Sequence, residues 1–347
     1  MPEDAPLTTA FIEGFPGTGK STLAQWIFLQ RGGSRRTRWY YEYAANHPVC
    51  DTRPDAAQYF TTWQDYQASL VSRWKAYLEK GIPTGDEVIF DGALIQNVLL
   101  VALRHMVAPD AVSDVLCSLA GHLRQESSRL IYLAQPDPRE AYAAMCARRG
   151  PHYTATVVER FERSPYARAR DLSGLDGLLS YWQHHDAVVR QIIAKLPLGC
   201  LTVDGGMTHP TARNDVARFL GWTPVEQRPD PSALSHFAGH YRSEWRVDPP
   251  RDWTRIFGNG SKECTVLFEA NELYVDGLLW PHNRLIPNSP GRFNAEAWPL
   301  ALALNLTPDG GRSLIIYDDA GDTGNGESAR TGHHNDTTGA TRHIAPA

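Results

Sequence analysis

The sequence predicts an α/β fold: a parallel five-stranded sheet with helices on both faces, followed by a small antiparallel β domain, either barrel or sandwich. Three observations carry this. Strand-like and helix-like segments alternate from residue 8 to about residue 222, the pattern of a parallel α/β sheet. A glycine-rich stretch, Gly14-Phe15-Pro16-Gly17-Thr18-Gly19-Lys20-Ser21, sits between the first strand and the first helix. Composition then breaks at Gln227–Ser232, after which apolar runs shorten and Asn/Asp/Gly turns separate them.

The elements follow in order. Thr8–Glu13 is short, β-branched and apolar, and reads as the first strand. Thr22–Leu29 continues in helix formers with an apolar face at Leu23, Trp26 and Ile27. Thr37–Glu42 is the second strand. Residues 55 to 80 read as a helix, with Trp63, Tyr66, Leu70, Trp74 and Tyr77 three or four apart. Glu87–Asp91 is the third strand and runs into a helix from Ala93 to Met106. Ser128–Leu133 is the fourth. Asp137-Pro138 then opens a helix through Arg149, with the proline near the first helical position. An arginine-rich stretch (Arg160, Arg163, Arg168, Arg170) precedes a helix over Leu178–Leu196, the fifth strand Cys200–Asp204, and a last helix over 209 to 220 that ends at Gly221. We divide the chain into a first domain at 1–226, a linker at 227–235, and a β domain at 236–319. Strands are expected there at Cys264–Glu269, Glu272–Val275 and Ser313–Tyr317. Residues 320–347, rich in Gly, Thr, Asp and His, read as a disordered tail.

The glycine-rich stretch matches G-x-x-x-x-G-K-[ST], the phosphate-binding loop, a pattern that arises by chance on the order of once per hundred chains of this length. Its glycines let successive backbone N–H groups turn inward around a polyphosphate. Lys20 brings a point charge to the outer phosphates, and Ser21 offers a hydroxyl to magnesium. The helix that follows points the positive end of its dipole at the phosphate. The expected nucleotide-binding residues are therefore Gly14, Phe15, Pro16, Gly17, Thr18, Gly19, Lys20, Ser21 and Thr22.

Bulk properties narrow the class. The chain has 347 residues, 42% of them hydrophobic, and a formal charge of −5. No global basic field draws in nucleic acid or an anionic membrane, so a small ligand is expected. Five scattered cysteines without a C-x-x-C argue against zinc and against a disulfide framework, and fit a reducing cytoplasm. The acidic start Met1-Pro2-Glu3-Asp4 lacks a signal-peptide pattern, and no apolar run approaches the ~20 residues of a membrane span.

Asp91 closes an apolar strand at its carboxyl end, where open α/β sheets place ligands. An acidic residue there binds magnesium through water or accepts the proton of an attacking hydroxyl. It can also cap the helix beginning near Ala93, and the roles are compatible. Glu42 ends the second strand, either as a second candidate base or as a solvated strand end. Tyr40, Tyr41 and Tyr43 beside it are either a stacking surface or core aromatics. His47 reads as a structural or exposed loop residue, and Gly205-Gly206 as an ordinary turn. Arg148 and Arg149 sit where a helix C-terminus favours cations. With the arginines that follow, they also read as a lid spanning 148–170 that closes on the transferring phosphoryl group.

The segment from residue 8 to 222 resembles the P-loop kinases of the thymidylate kinase and deoxynucleoside kinase group. The resemblance rests on the strand-loop-helix at 8–29, the strand ends Tyr41-Glu42 and Phe90-Asp91, and the run Leu130-Ile131-Tyr132-Leu133 with Asp137-Pro138 and Arg148-Arg149-Gly150. It implies ATP or GTP as phosphate donor, Mg2+ on Ser21 and Asp91, an arginine lid, and transfer to a small hydroxyl acceptor. It also implies that Glu42 matches the base of deoxynucleoside kinases. Those families carry an arginine directly after the third-strand acid, where this chain has Gly92-Ala93. The layout is also similar to phosphotransferases that inactivate antibiotics through a hydroxyl, of the chloramphenicol and capuramycin type. Residues 237–242, 285–287 and 292–293 resemble lipocalin-like modules appended to some serine hydrolases. The expectation is a cytoplasmic small-molecule kinase with Asp91, Glu42, Lys20, Arg148 and Arg149 as catalytic residues and no nucleic-acid or membrane partner. The alternatives are a nucleoside or nucleotide kinase of primary metabolism, or a nucleotide-dependent switch with a β binding module.

Overall fold

The computed structural model describes residues 9–31, 37–42, 44, 47–50, 60, 62–81, 86–123, 127–205, 211–225, 233–245, 262–279, 281–306 and 311–318. Tyr43, residues 55–59, Gly206, residues 227–232 of the expected linker and the expected tail at 320–347 lie outside them.

Five parallel strands, β1 (Thr9–Glu13), β2 (Thr37–Tyr40), β3 (Glu87–Asp91), β4 (Ser128–Ala134) and β5 (Gly199–Asp204), form a sheet in the order β2-β3-β1-β4-β5. Side chains alternate between its two faces, as the strand period of two requires. Phe11, Val88, Phe90, Leu130 and Tyr132 enter one apolar core, and Ala10, Ile12, Ile89, Ile131 and Leu133 enter the other. Both faces are thus covered, which is why these strands read as continuous apolar runs rather than alternating ones. Phe11 stacks on Phe90 across the β1–β3 pair at 5.4 Å between centroids.

The helices are α1 (Lys20–Gln30), α2 (Trp63–Lys80), α3 (Gln96–Arg104), α4 (Pro109–Leu123), α5 (Pro138–Arg149), α6 (Pro151–Glu162), α7 (Pro165–Ala169), α8 (Gly174–Ile193) and α9 (Ala212–Leu220). Local chemistry sets several of their ends. Thr62 caps α2 through Asp65 N–H (3.1 Å), and Asp137 caps α5 through the N–H groups of Arg139 and Glu140 (2.9 and 3.0 Å). The helix predicted over 93–106 is shorter, because residues 92–95 form a turn anchored from β1, as described below. The chain then reverses at Met106 (φ +58) into α4, an element not anticipated. The arginine-rich stretch is two short helices, α6 and α7, packed on α8 through Phe161 and Tyr166, whose rings both meet Tyr181. No helix among the described residues is long and apolar enough to cross a membrane.

The C-terminal part is a closed barrel of seven strands: β6 (Gly239–Trp245), β7 (Glu263–Glu269), β8 (Glu272–Asp276), β9 (Asn283–Ser289), β10 (Arg292–Ala295), β11 (Leu300–Leu306) and β12 (Arg312–Asp318). Each strand pairs antiparallel with the next. An odd number of alternating strands leaves the first and last pointing the same way, so β12 closes on β6 in parallel. The sequence predicts a purely antiparallel domain, and this seam is the exception. The interior is filled by side chains at alternate positions, among them Tyr241, Val266, Leu273, Val275, Leu285, Phe293, Leu302, Leu314 and Ile316, all nearly sealed from solvent.

Candidate active site

The sheet order sets the carboxyl ends of β2, β3 and β1 side by side, and the chain crosses β1 between β3 and β4. A crevice at such a switch point is where open α/β sheets bind ligands. Four groups meet there: the glycine-rich loop after β1, Asp91 at the end of β3, Glu42 just past β2, and Glu13 at the end of β1.

The loop between β1 and α1 takes the conformation its glycines permit. Gly14 (φ +152) has no room for a side chain: a Cβ would lie 2.6 Å from Thr18 Oγ1 and 2.9 Å from the Leu133 carbonyl. Gly17 (φ +91) is covered by α5, where a Cβ would strike Met145 Cγ at 2.5 Å. Thr18 Oγ1 donates to the Phe15 carbonyl (3.0 Å), as does Lys20 Nζ (3.4 Å). Lys20 is 5% exposed, a buried cation at the first residue of α1. Phe15 anchors the loop in an aromatic nest with Tyr142 of α5 and Trp182 of α8, both with centroids 6.4 Å away.

Ser21 Oγ donates to Asp91 Oδ2 at 2.6 Å, which joins the loop to β3. Asp91 is fully buried, and its Oδ1 has no hydrogen-bond partner among the described residues. Its carboxyl pKa is pushed up to about 7, first by burial and then by the negative charge of Glu42; Lys20 and the Ser21 hydroxyl pull the other way. Gln96 Nε2 donates to Glu42 Oε2 (3.2 Å).

Gly92 lies between these groups. A Cβ there would approach Glu42 Oε2 at 3.2 Å and Lys20 Cε at 3.4 Å, and its φ of +66° is in the left-handed region. Gly92→Ala is expected to cost roughly 1–2 kcal/mol from backbone conformation alone, and to displace Glu42 or Lys20. A denaturant midpoint with unchanged slope reads the first, and nucleotide affinity the second.

Sequence reasoning missed Glu13. Its buried carboxylate accepts N–H bonds from Leu94 (2.8 Å), Ile95 (3.0 Å) and Gln96 (2.9 Å), the orphan donors at the start of α3. Burial raises its pKa against the opposing pull of those three bonds and of Lys20. Glu13 therefore fixes the turn that carries Asp91, Gly92 and Gln96. A charged residue closing an apolar strand immediately before the loop was the available signal. Glu13→Gln would aim an NH2 group at one of these donors, and is expected to lower stability by about 1–3 kcal/mol, the cost of an unpaired buried donor; thermal and chemical melts measure it.

The remaining predicted residues stand further out. Tyr40 and Tyr41 are core aromatics: Tyr40 stacks on Phe90 (5.2 Å), and Tyr41 lies on the other face. His47 is buried, its Nδ1 accepting from Val49 and Cys50 N–H, and burial lowers its pKa to about 3. Arg148 is exposed at the end of α5, one turn beyond Met145. Arg149 donates to Tyr153 Oη (2.8 Å) and lies over that ring. The structure thus brings Lys20, Ser21, Asp91 and Glu42 together, and the two arginines stand in the last turn of α5. His185 of α8, also unanticipated, is sealed against Trp182 (4.9 Å); burial, then the Lys20 charge, lowers its pKa to about 3, against the opposing pull of the Gln96 backbone.

Among the described residues no group of three or more His, Cys, Asp or Glu forms a cage for a metal ion. A magnesium ion held here would share its coordination with phosphate oxygens and water, as this ion usually does. The unpartnered Asp91 Oδ1 beside the Ser21 hydroxyl fits that arrangement.

No family model matches the chain, and no curated protein is similar to it in sequence. Among solved structures, the YorR protein from Bacillus subtilis in complex with phosphorylated GDP is similar at 13% identity and a TM-score of 0.33, covering 60% of this chain and 93% of its own. Thymidylate kinase from Candida albicans is similar at 12% identity and a TM-score of 0.36, covering 62% and 91%. At these scores neither likeness bears on activity, and the fold rests on the strand order and loop geometry above.

Proposed function

We propose that this chain is an ATP- or GTP-dependent phosphotransferase that moves the terminal phosphate to a hydroxyl of a small organic molecule. One observation carries the reading: a buried lysine of a phosphate-binding loop, with the following serine hydrogen-bonded to a buried third-strand carboxylate that keeps one oxygen uncommitted. In this reading the loop N–H groups and Lys20 hold the triphosphate, and Ser21, with Asp91 through water, would hold Mg2+. The ion supplies charge neutralisation on the outer phosphates. Asp91 accepts the acceptor's proton through Oδ1, and a carboxyl poised near pH 7 suits that task. Glu42 is the second candidate for that role. Lys20 and the lid arginines, Arg148 and Arg149, stabilise the charge that develops on the transferred group.

Gly92 bears on the acceptor. Its left-handed φ and its close approach to Glu42 and Lys20 disfavour a side chain there, and the arginine that the nucleotide kinases it resembles carry after the third-strand acid is absent. This favours an acceptor without a phosphate of its own, an antibiotic or nucleoside-like alcohol, over a nucleoside monophosphate. The test is a panel of nucleosides, nucleoside monophosphates and hydroxylated antibiotics offered with γ-labelled ATP and GTP. Label appearing in an alcohol supports the reading. Efficient transfer to a nucleoside monophosphate would overturn the acceptor assignment, and slow hydrolysis indifferent to every acceptor would point to a switch.

A further inference from the structure

Residues 295 to 298 turn the barrel from β10 into β11. The turn is closed by Trp298 N–H donating to the Ala295 carbonyl (3.1 Å), and Ala297 stands in the left-handed region at φ +65. Asn283 Nδ2 braces it from β9 through the Glu296 carbonyl (3.1 Å). One side chain of the parallel-sheet part binds this turn: Gln25 of α1, which is 3% exposed. Its Nε2 donates to the carbonyls of Ala295 (2.8 Å) and Trp298 (3.0 Å), and its Oε1 accepts from Ala297 N–H (2.9 Å). The same turn also reaches β2. The Trp298 ring lies 6.0 Å from the ring of Tyr41, whose neighbour in the chain is Glu42, and both rings are nearly sealed from solvent.

Gln25 lies one helical turn beyond Ser21, so the two share a face of α1. A barrel merely appended to the sheet would need only apolar contact. A buried amide with three hydrogen bonds to a braced backbone does more, since it fixes the rotation and the axial position of the helix that begins at Lys20. Trp298 fixes the strand end that leads to Glu42. Phosphoryl transfer depends on placement at this scale: a 1 Å displacement costs roughly a hundredfold.

We propose that the 295–298 turn is a positioning element of the phosphoryl-transfer centre. It holds α1 and the end of β2 in fixed relation, so that Lys20 and Ser21 stay opposite Glu42 and Asp91. This rests on the kinase reading above. Gln25 and Trp298 are positioning residues, not catalytic ones. Because coupling between sites is reciprocal, nucleotide at the loop must also be sensed at Trp298.

The test uses the full-length chain with magnesium–ATP and magnesium–GTP as probes, and the variants Gln25→Leu, Trp298→Ala, Trp298→Phe and Lys20→Met. Dissociation constants are measured by calorimetry well below each variant's melting point. The 19F signal of Trp298 is followed in 5-fluorotryptophan protein and assigned by its absence in Trp298→Phe. Gln25→Leu and Trp298→Ala are expected to weaken nucleotide binding about tenfold, equivalent to one buried hydrogen bond or ring contact, and Trp298→Phe to retain it within about twofold. The Trp298 signal is expected to shift when nucleotide binds. If both variants melt earlier yet bind as wild type does, and the fluorine signal stays still, the turn is only structural and the proposal is overturned. If wild type binds neither nucleotide, or Lys20→Met binds equally well, the kinase reading itself fails and the positioning role falls with it. Should Gln25→Leu not fold, the Trp298 pair and the fluorine signal decide.

Discussion

Asp91→Asn is expected to lower phosphate transfer about a thousandfold, within the span that general-base removal produces, while nucleotide binding changes little. The amide keeps an oxygen for the Ser21 hydroxyl, so the tie between loop and β3 survives. What is lost is the group that accepts the proton. The same substitution has a signature in stability. Burial holds the Asp91 carboxyl protonated up to about pH 7, far above the ordinary range for aspartate. A carboxyl whose pKa is raised on folding favours the folded state below about pH 4, and that contribution is lost as pH rises through about 7. The amide has no proton to lose. In EDTA and without nucleotide, Asp91→Asn should therefore melt higher than wild type at pH 8, with a smaller gap at pH 5 that closes only below about pH 4. Differential scanning at the two pH values measures this. Transfer that survives the substitution would move the base to Glu42, and Glu42→Gln would then carry the loss.

Lys20→Met is expected to abolish productive nucleotide use, with kcat/KM falling about a thousandfold or more, the scale of losing a principal electrostatic contact to the transferring phosphoryl group. Methionine fills a similar volume, so the packing around Phe15 and α5 should persist. The charge matters for the unliganded protein too. Lys20 lowers the proton affinity of both Asp91 and Glu13, two buried carboxylates within its reach. Without it, the Asp91 titration should move above pH 7, and carbonyl-region spectroscopy on labelled aspartate would follow it. An Asp91 titration that stays put in Lys20→Met would show that burial alone sets it.

The conformation of the glycine-rich loop was legible because it is local. Gly14 to Ser21 are contiguous, and each has a chemical reason to be the residue it is. Asp91 and Glu42 were legible because strand ends follow from apolar runs, and the parallel pattern puts those ends on one edge of the sheet. Glu13 was not, because its role depends on the Leu94–Gln96 turn arriving from 81 residues away in sequence. Gln25 was hidden for the same reason at greater range: its partners lie some 270 residues further on. In sequence it is one more polar residue of a helix that also carries Lys20, Ser21, Thr22 and Gln30, and it reads as a solvated position. α4 was missed although Val112, Leu116, Leu119 and Leu123 keep helical spacing, because the preceding helix was drawn through the left-handed turn at Met106. The barrel was legible only as short strands between turns. Its closure and its parallel seam depend on the number of strands, and three of the seven were identified.

The most direct measurement is transfer of labelled γ-phosphate from ATP or GTP to a hydroxylated small molecule, run side by side for wild type and Asp91→Asn with nucleotide binding confirmed for both. The expected result is label in the acceptor's hydroxyl with wild type and none above background with Asp91→Asn. Binding of nucleotide by both proteins, with label released only as inorganic phosphate whatever the acceptor, would contradict it.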